Sequence, residues 1–193
     1  MALLDLRLRD FLDEIAAEGR TPGGGSAAAL VTAIAAGLLA KVARGSGDTW
    51  PEAAGIAAQA ECLRGRVTPL AQTDAEQYEA ALRARAETND EQGERRDFAL
   101  GQAYARAAEP PLQIVSVAND VAQLALAVAE GGNPALRADA VAAGLLAAAA
   151  ASAAAELVAV NLTASARDPR VLEAAKLAQE AARAAETARA VRE

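Results

Sequence analysis

Apolar side chains recur along this chain at helical intervals. Leu4, Leu8, Phe11 or Leu12, and Ile15 stand three or four residues apart, which places them on one face of a helix. Gly19 follows where a C-cap glycine belongs, so an amphipathic first helix is expected to end there. From Ser26 to about Arg44 apolar positions cover every side, and a second helix of that kind belongs at the centre of a bundle. Gly45-Ser46-Gly47-Asp48-Thr49 breaks it, and Trp50-Pro51-Glu52 leads into a third helix with Pro51 in its first turn. That helix is expected to reach about Ala86, kinked or briefly broken at Pro69, where a backbone donor is lost.

The polar segment from Glu87 to Gly93 reads as a loop. A fourth helix is expected over about Glu94–Glu109, a fifth from Pro110-Pro111 to Glu130, and a sixth from about Ala138 to Ala166. Gly131-Gly132-Asn133-Pro134 separates the last two as a turn. Asp168-Pro169 opens a charged, solvated final helix. Strand alternation, internal repeats and long heptad runs are absent from the sequence. The expected fold is all-α, a single-domain bundle of six or seven helices spanning residues 1–193.

Composition sharpens this picture. Hydrophobic residues make up 53% of the chain but aromatics only 3%, so the core must be built from Ala, Leu and Val, which favours helices. The uncharged runs Ala27–Ala40 and Ala140–Ala155 are shorter than the roughly 20 apolar residues of a membrane span. They read as buried core helices, and no membrane association is expected. Together they offer more apolar face than one subunit can cover, which suggests a two-fold homodimer.

A formal net charge of -7 without any basic block excludes nucleic-acid binding through a basic face. The single Cys62 cannot form an internal disulfide, and the charged start lacks a signal-peptide core; a cytoplasmic protein is expected. The sequence has no histidine. Proton transfer must then fall to carboxylates, Lys, Tyr or Cys62, and neither a metal nor a cofactor is expected.

Three clusters carry candidate chemistry. Thr21-Pro22-Gly23-Gly24-Gly25-Ser26 runs into the second helix. It reads either as a flexible turn that lets helices pack closely, or as a glycine loop whose helix-end amides bind an anion, with Ser26 placed to cap or to project. No Gly-Lys-Ser/Thr closes it and no strand precedes it, so it is not a nucleotide-binding loop. Asp74 and Tyr78 share a helical face; burial there would make Asp74 a usable general acid or base. Gly132 to Asp139 forms the third cluster, with Asn133 in the turn and Asn161 far down the sixth helix. Asp139 also suits a simple helix-cap role. Glu156 interrupts an apolar stretch and should be partnered or at a site, Lys41 can snorkel, Cys62 reads as packing, and Asn119-Asp120 as a polar contact between helices.

The segments TPGGGSAAAL (Thr21–Leu30), DAEQY (Asp74–Tyr78), EPPL (Glu109–Leu112), GNPALRAD (Gly132–Asp139) and VNL (Val160–Leu162) resemble, in order and spacing, the cyclodeaminase/cyclohydrolase family. That family comprises the formiminotetrahydrofolate cyclodeaminase domain and the methenyltetrahydrofolate cyclohydrolases similar to it. The resemblance spans roughly residues 5–165. It implies an all-helical homodimer acting on a small-molecule reduced folate, closing a ring with loss of ammonia or opening one with water. It further implies Pro22, Gly23, Gly24, Gly25, Ser26, Asn133 and Asn161 as substrate-binding residues, Asp74 and Asp139 as catalytic ones, and no metal. Lys41, Ala138 and Glu156-Leu157 depart from the family pattern, which leaves a non-catalytic helical homodimer for folate binding or scaffolding as the second reading. Lys41, Arg44 or Arg137 are the expected sources of local positive charge for a glutamate tail.

Overall fold

The structure is a computed structural model that describes residues 2–88, 93–162 and 168–191. These residues form eight α-helices: α1 (Leu8–Ala16), α2 (Gly24–Arg44), α3 (Ala53–Val67), α4 (Leu70–Glu87), α5 (Glu94–Ala107), α6 (Glu109–Gly131), α7 (Arg137–Asn161) and α8 (Pro169–Ala190). Short 3-10 turns at Leu3–Asp5 and Pro134–Leu136 precede α1 and α7. The all-helical expectation holds. The helices number eight because the expected third helix breaks completely at Pro69, which becomes the N-cap of α4.

The core lies where α7 packs against α2, α6 and α8 while α6 also meets α2 and α8. Its larger side chains are few, among them Leu39, Ile114, Val121, Val128 and Val158, all fully buried or nearly so. Alanines fill the rest, and such small side chains bring helix backbones close together. Helix α3 lies on α2 and α6, and the α4–α5 pair lies beside α2 and α6. That last placement positions the candidate site.

Several boundaries differ from the sequence pattern. Helix α1 ends at Ala17 in an extended conformation, short of Gly19. Only Phe11 of its apolar stripe is buried, while Leu4, Leu8 and Leu12 remain exposed. The Leu3 amide is tied to α4 by donating to Gln72 Oε1 at 2.7 Å. Pro51 sits in the turn before α3 instead of inside its first turn. Helix α7 stops at Asn161, with Leu162 as its C-cap, so the expected continuation to Ala166 lies largely outside the described residues; so does most of the expected loop before α5. Helix α8 is not simply solvated, because Ala174, Ala178, Ala181, Ala184, Ala185 and Ala188 pack into the core. Its charges occupy the other face, and a count of charged residues hides the alanine stripe.

The uncharged runs are shorter than a membrane span, but the helical segments that contain them are not. By length and composition Gly24–Arg44, Glu94–Gly131 and Pro134–Asn161 are each apolar enough to cross a bilayer. The uncharged runs understate them because the helices continue beyond the runs at both ends. In the fold, 56%, 61% and 44% of their most apolar windows are buried, so helix-to-helix packing takes up much of that surface.

Candidate functional site

The first turn of α2 opens directly from the glycine segment. Gly23 is its N-cap, and neither Gly23 nor any neighbouring side chain of the turn caps it, so the amides of Gly24, Gly25 and Ser26 begin the helix with partners to be found elsewhere. The Thr21-Pro22 peptide is cis. Helix α4 supplies what the turn lacks. Ala71 and Asp74, three residues apart and so on one face, both meet this turn: the Ser26 hydroxyl donates to the Ala71 carbonyl at 2.7 Å, and the Ser26 amide donates to the Asp74 carboxylate.

Gly25 is required by this contact. A Cβ built there would collide with the Asp74 carboxyl group, so only a residue without a side chain lets the carboxyl lie on the helix start. At Gly24, by contrast, an added Cβ would meet Leu157 of α7 only at ordinary van der Waals distance, so within this turn the need for a missing side chain is specific to Gly25. The alternative of a close-packing turn and that of an anion-binding turn therefore converge. The glycines permit close approach, and the group that approaches is the protein's own carboxylate.

Asp74 is 8% exposed. Burial penalises its charged form and the Ser26 amide partly offsets that, leaving the carboxyl pushed up to about 6. Near neutral pH it can both give and accept a proton. Ser26 itself is fully buried and held by Ala71. It neither caps nor projects.

One helical turn along α4 from Asp74, starting at Tyr78, a cleft of about 900 Å³ opens between α4, α5, the end of α7 and the start of α8. Tyr78, Arg85, Arg96, Tyr104 and Asn161 line it. Tyr78 stands one turn beyond Asp74 on α4, about 6 Å along the axis. The Asn161 side chain donates to the Ala107 carbonyl at 2.9 Å, holding the end of α7 against the end of α5. At the cleft edge Asp168 caps α8 and binds Arg170 at 2.7 Å. The Arg170 side-chain hydrogen bonds, then its amide, pull that carboxyl down to about 2.

Asn133 and Asp139 lie elsewhere. Helix α2 is about 30 Å long at the usual rise, and both residues sit at its far end. Asn133 accepts from the Ala135 amide at 3.0 Å, its side-chain amide reaches the Gly45 carbonyl at 3.5 Å, and its backbone N–H donates to Ser46 Oγ at 2.8 Å. Asp139, in the first turn of α7, pairs with Lys41 at 3.1 Å. Within one chain the candidate residues therefore form two groups: Pro22, Gly23, Gly24, Gly25, Ser26, Asp74 and Asn161 at one end of α2, Asn133 and Asp139 at the other.

The expected sources of positive charge are likewise at the far end and engaged: Lys41 with Asp139, Arg44 with Glu61 at 2.8 Å, Arg137 with the Ala129 carbonyl at 3.1 Å. The cleft draws on Arg85 and Arg96, which the sequence reading did not single out. Arg85 and Tyr78 are seven residues apart, two turns on one helix face, so a signal existed on α4; nothing in the sequence brings Arg96 and Tyr104 of α5 alongside. Glu156 is exposed, so it needs no buried partner, and Cys62 is exposed instead of packed. Cys62 edges a second cavity, of about 590 Å³, between α3 and α6. Asn119 is buried and accepts from Gln123 at 3.3 Å within α6, while Asp120 supplies the expected polar contact between helices, reaching Arg66 of α3 at 3.8 Å. Among the described residues no three Cys, Asp or Glu side chains gather as a metal site.

The profile of one protein family, formiminotransferase-cyclodeaminase, matches residues 7–188. The chain belongs to that family. Among solved structures, the crystal structure of formiminotetrahydrofolate cyclodeaminase from Thermotoga maritima superposes with a TM-score of 0.79 at 27% identity, covering 96% of this chain and 93% of that one. Among characterised relatives, the methenyltetrahydrofolate cyclohydrolase of Methylorubrum extorquens is 30% identical over 134 residues, 65% of this chain. The match spans 64% of that relative's length. Membership thus rests on nearly the whole chain and agrees with the all-helical fold.

Proposed function

We propose that this member of the formiminotransferase-cyclodeaminase family transforms a reduced folate at the carbon carried between its two bridging nitrogens. In one direction the second nitrogen attacks a formimino carbon and ammonia leaves, giving the methenyl ring. In the other, water adds to the methenyl carbon and one carbon–nitrogen bond breaks, giving the formyl compound. Both routes pass through a tetrahedral carbon and need a proton moved at nitrogen or oxygen. The observation that carries the reading is Asp74, buried against the start of α2 one helical turn from the cleft-lining Tyr78, its carboxyl pushed up to about 6 by that burial and so able to serve as acid in one half of such a step and base in the other.

A homodimer would complete the site. Ile34, Leu145, Leu146 and Val160 are exposed at 60%, 40%, 39% and 63% on the packed pair α2 and α7. A two-fold pairing of these faces with the helices antiparallel would bring the partner's Asp139 toward this chain's glycine turn and so draw the two separated groups of candidates together.

The test follows methenyltetrahydrofolate absorbance with the formimino and the methenyl compounds supplied in turn, alongside light scattering. Turnover of one of them by a dimer is expected. Folate binding without turnover would instead support the non-catalytic binding protein, and neither binding nor turnover would remove folate altogether.

A further inference from the structure

Only two tyrosines occur in this aromatic-poor chain, and both, Tyr78 and Tyr104, line the same cleft. In a protein whose core needs so few rings, two half-buried phenols facing one cavity are placed for contact with a flat ligand. The same cleft carries Arg85 and Arg96. Although the chain is acidic overall, neither forms an ion pair among the described residues; Arg96 donates only to the Thr88 carbonyl, at 3.0 Å. Asp168 is neutralised by Arg170 at 2.7 Å, so Asp97 is left to offset one of the two guanidinium groups. The cleft is a locally cationic, aromatic-lined recess on an anionic protein.

Its direction matters as much as its composition. Asp74, Tyr78 and Arg85 follow one another along α4, and Asp74 to Arg85 covers about 16 Å of axis. Side chains at both ends lean toward the helix N-terminus, so the span between them stays near this length and a ligand arm of equal or shorter length fits within it. From standard bond lengths, an extended p-aminobenzoyl-glutamate arm measures roughly 10–12 Å from bridge nitrogen to terminal carboxylate.

Resting on the folate reading above, we propose that this cleft seats the p-aminobenzoyl-glutamate arm of the substrate, with Tyr78 and Tyr104 flanking the ring and Arg85 and Arg96 binding glutamyl carboxylates. Arginine suits this task because its planar fork pairs with both carboxylate oxygens. Neither arginine touches the reacting carbon. Both act on binding and positioning.

The experiment compares wild type with Arg85→Gln, Arg96→Lys and the double variant, each checked for helical content. The substrates are a monoglutamyl folate, a triglutamyl folate and the corresponding pteroate that lacks glutamate. For glutamylated substrates KM should rise about tenfold or more in Arg85→Gln and further in the double variant, as expected for losing charge-assisted hydrogen bonds, with kcat little changed. Raising salt should increase KM in wild type and leave the double variant nearly flat. On the pteroate substrate all four proteins should behave alike. Unchanged KM and salt dependence in folded variants that still turn over folate would overturn this assignment alone. Wild type that neither binds nor converts any folate would overturn the folate reading on which it stands. Because Arg96 also holds the Thr88 carbonyl, Arg85→Gln decides the matter should Arg96→Lys fold poorly.

Discussion

Replacing Asp74 by Asn tests the physical state of the candidate site without assuming any substrate. The side chain keeps its size and an oxygen that can accept from the Ser26 amide, but it loses its charge. Asp74 is pushed up from 3.8 to about 6, chiefly by burial. At 1.36 kcal/mol per unit, that rise of about two units amounts to about 3 kcal/mol as an upper bound. The raised value fixes the sign. Below about pH 4 the carboxyl is protonated in both folded and unfolded chains and has no linkage cost. Between about 4 and 6 the unfolded chain releases this proton while the folded one keeps it, so wild-type stability falls as pH rises; above about 6 the loss is complete.

Urea unfolding of wild type and Asp74→Asn at half-unit steps from pH 4 to 8 reads this directly. The variant should gain on wild type steadily between pH 4 and 6 and then hold a constant advantage of 2 to about 3 kcal/mol. A difference that stays flat across the range, or that turns against the variant as pH rises, would refute a buried carboxyl held near neutrality. If Asp74 is also the proton carrier, Asp74→Asn should abolish turnover while stabilising the fold, a combination that a purely structural carboxylate cannot produce.

Two further substitutions probe the same turn. Gly25→Ala should cost about 1–3 kcal/mol, because the added Cβ must displace the Asp74 carboxyl from the start of α2; an alanine variant as stable as wild type in thermal melts would show that the contact is not tight. Ser26→Ala should destabilise by about 1–3 kcal/mol, because the buried Ala71 carbonyl loses the hydroxyl that donates to it at 2.7 Å. Activity per folded molecule should survive that change, since the hydroxyl faces α4, and its loss would place Ser26 against the substrate instead.

The limits of reading the sequence show at particular residues. Asp74 and Tyr78 were legible as a pair because four-residue spacing is a local property of one helix. The Ser26 contact with Ala71, the need for Gly25 to lack a side chain and the raised carboxyl depend on α4 crossing the start of α2, and they span 45 or more residues of sequence. Likewise the exposed stripe Leu4, Leu8 and Leu12 has the same periodicity as a buried one. Periodicity reports that a face exists, without saying what covers it.

By itself, then, the sequence determined the helical class, the Pro69 break, the glycine turn and the family to which its motifs point. The first three follow from backbone propensities and short-range spacing, which act within a few residues; the family rests on the resemblance of its motifs. Only the tertiary structure decided that Asp74 lies on the glycine turn, that Asn133 and Asp139 stand at the opposite end of α2, and that both tyrosines share one cleft with Arg85 and Arg96. Those relations arise when alanine-lined helices close on one another and remove side chains from water, a step whose geometry no local pattern encodes.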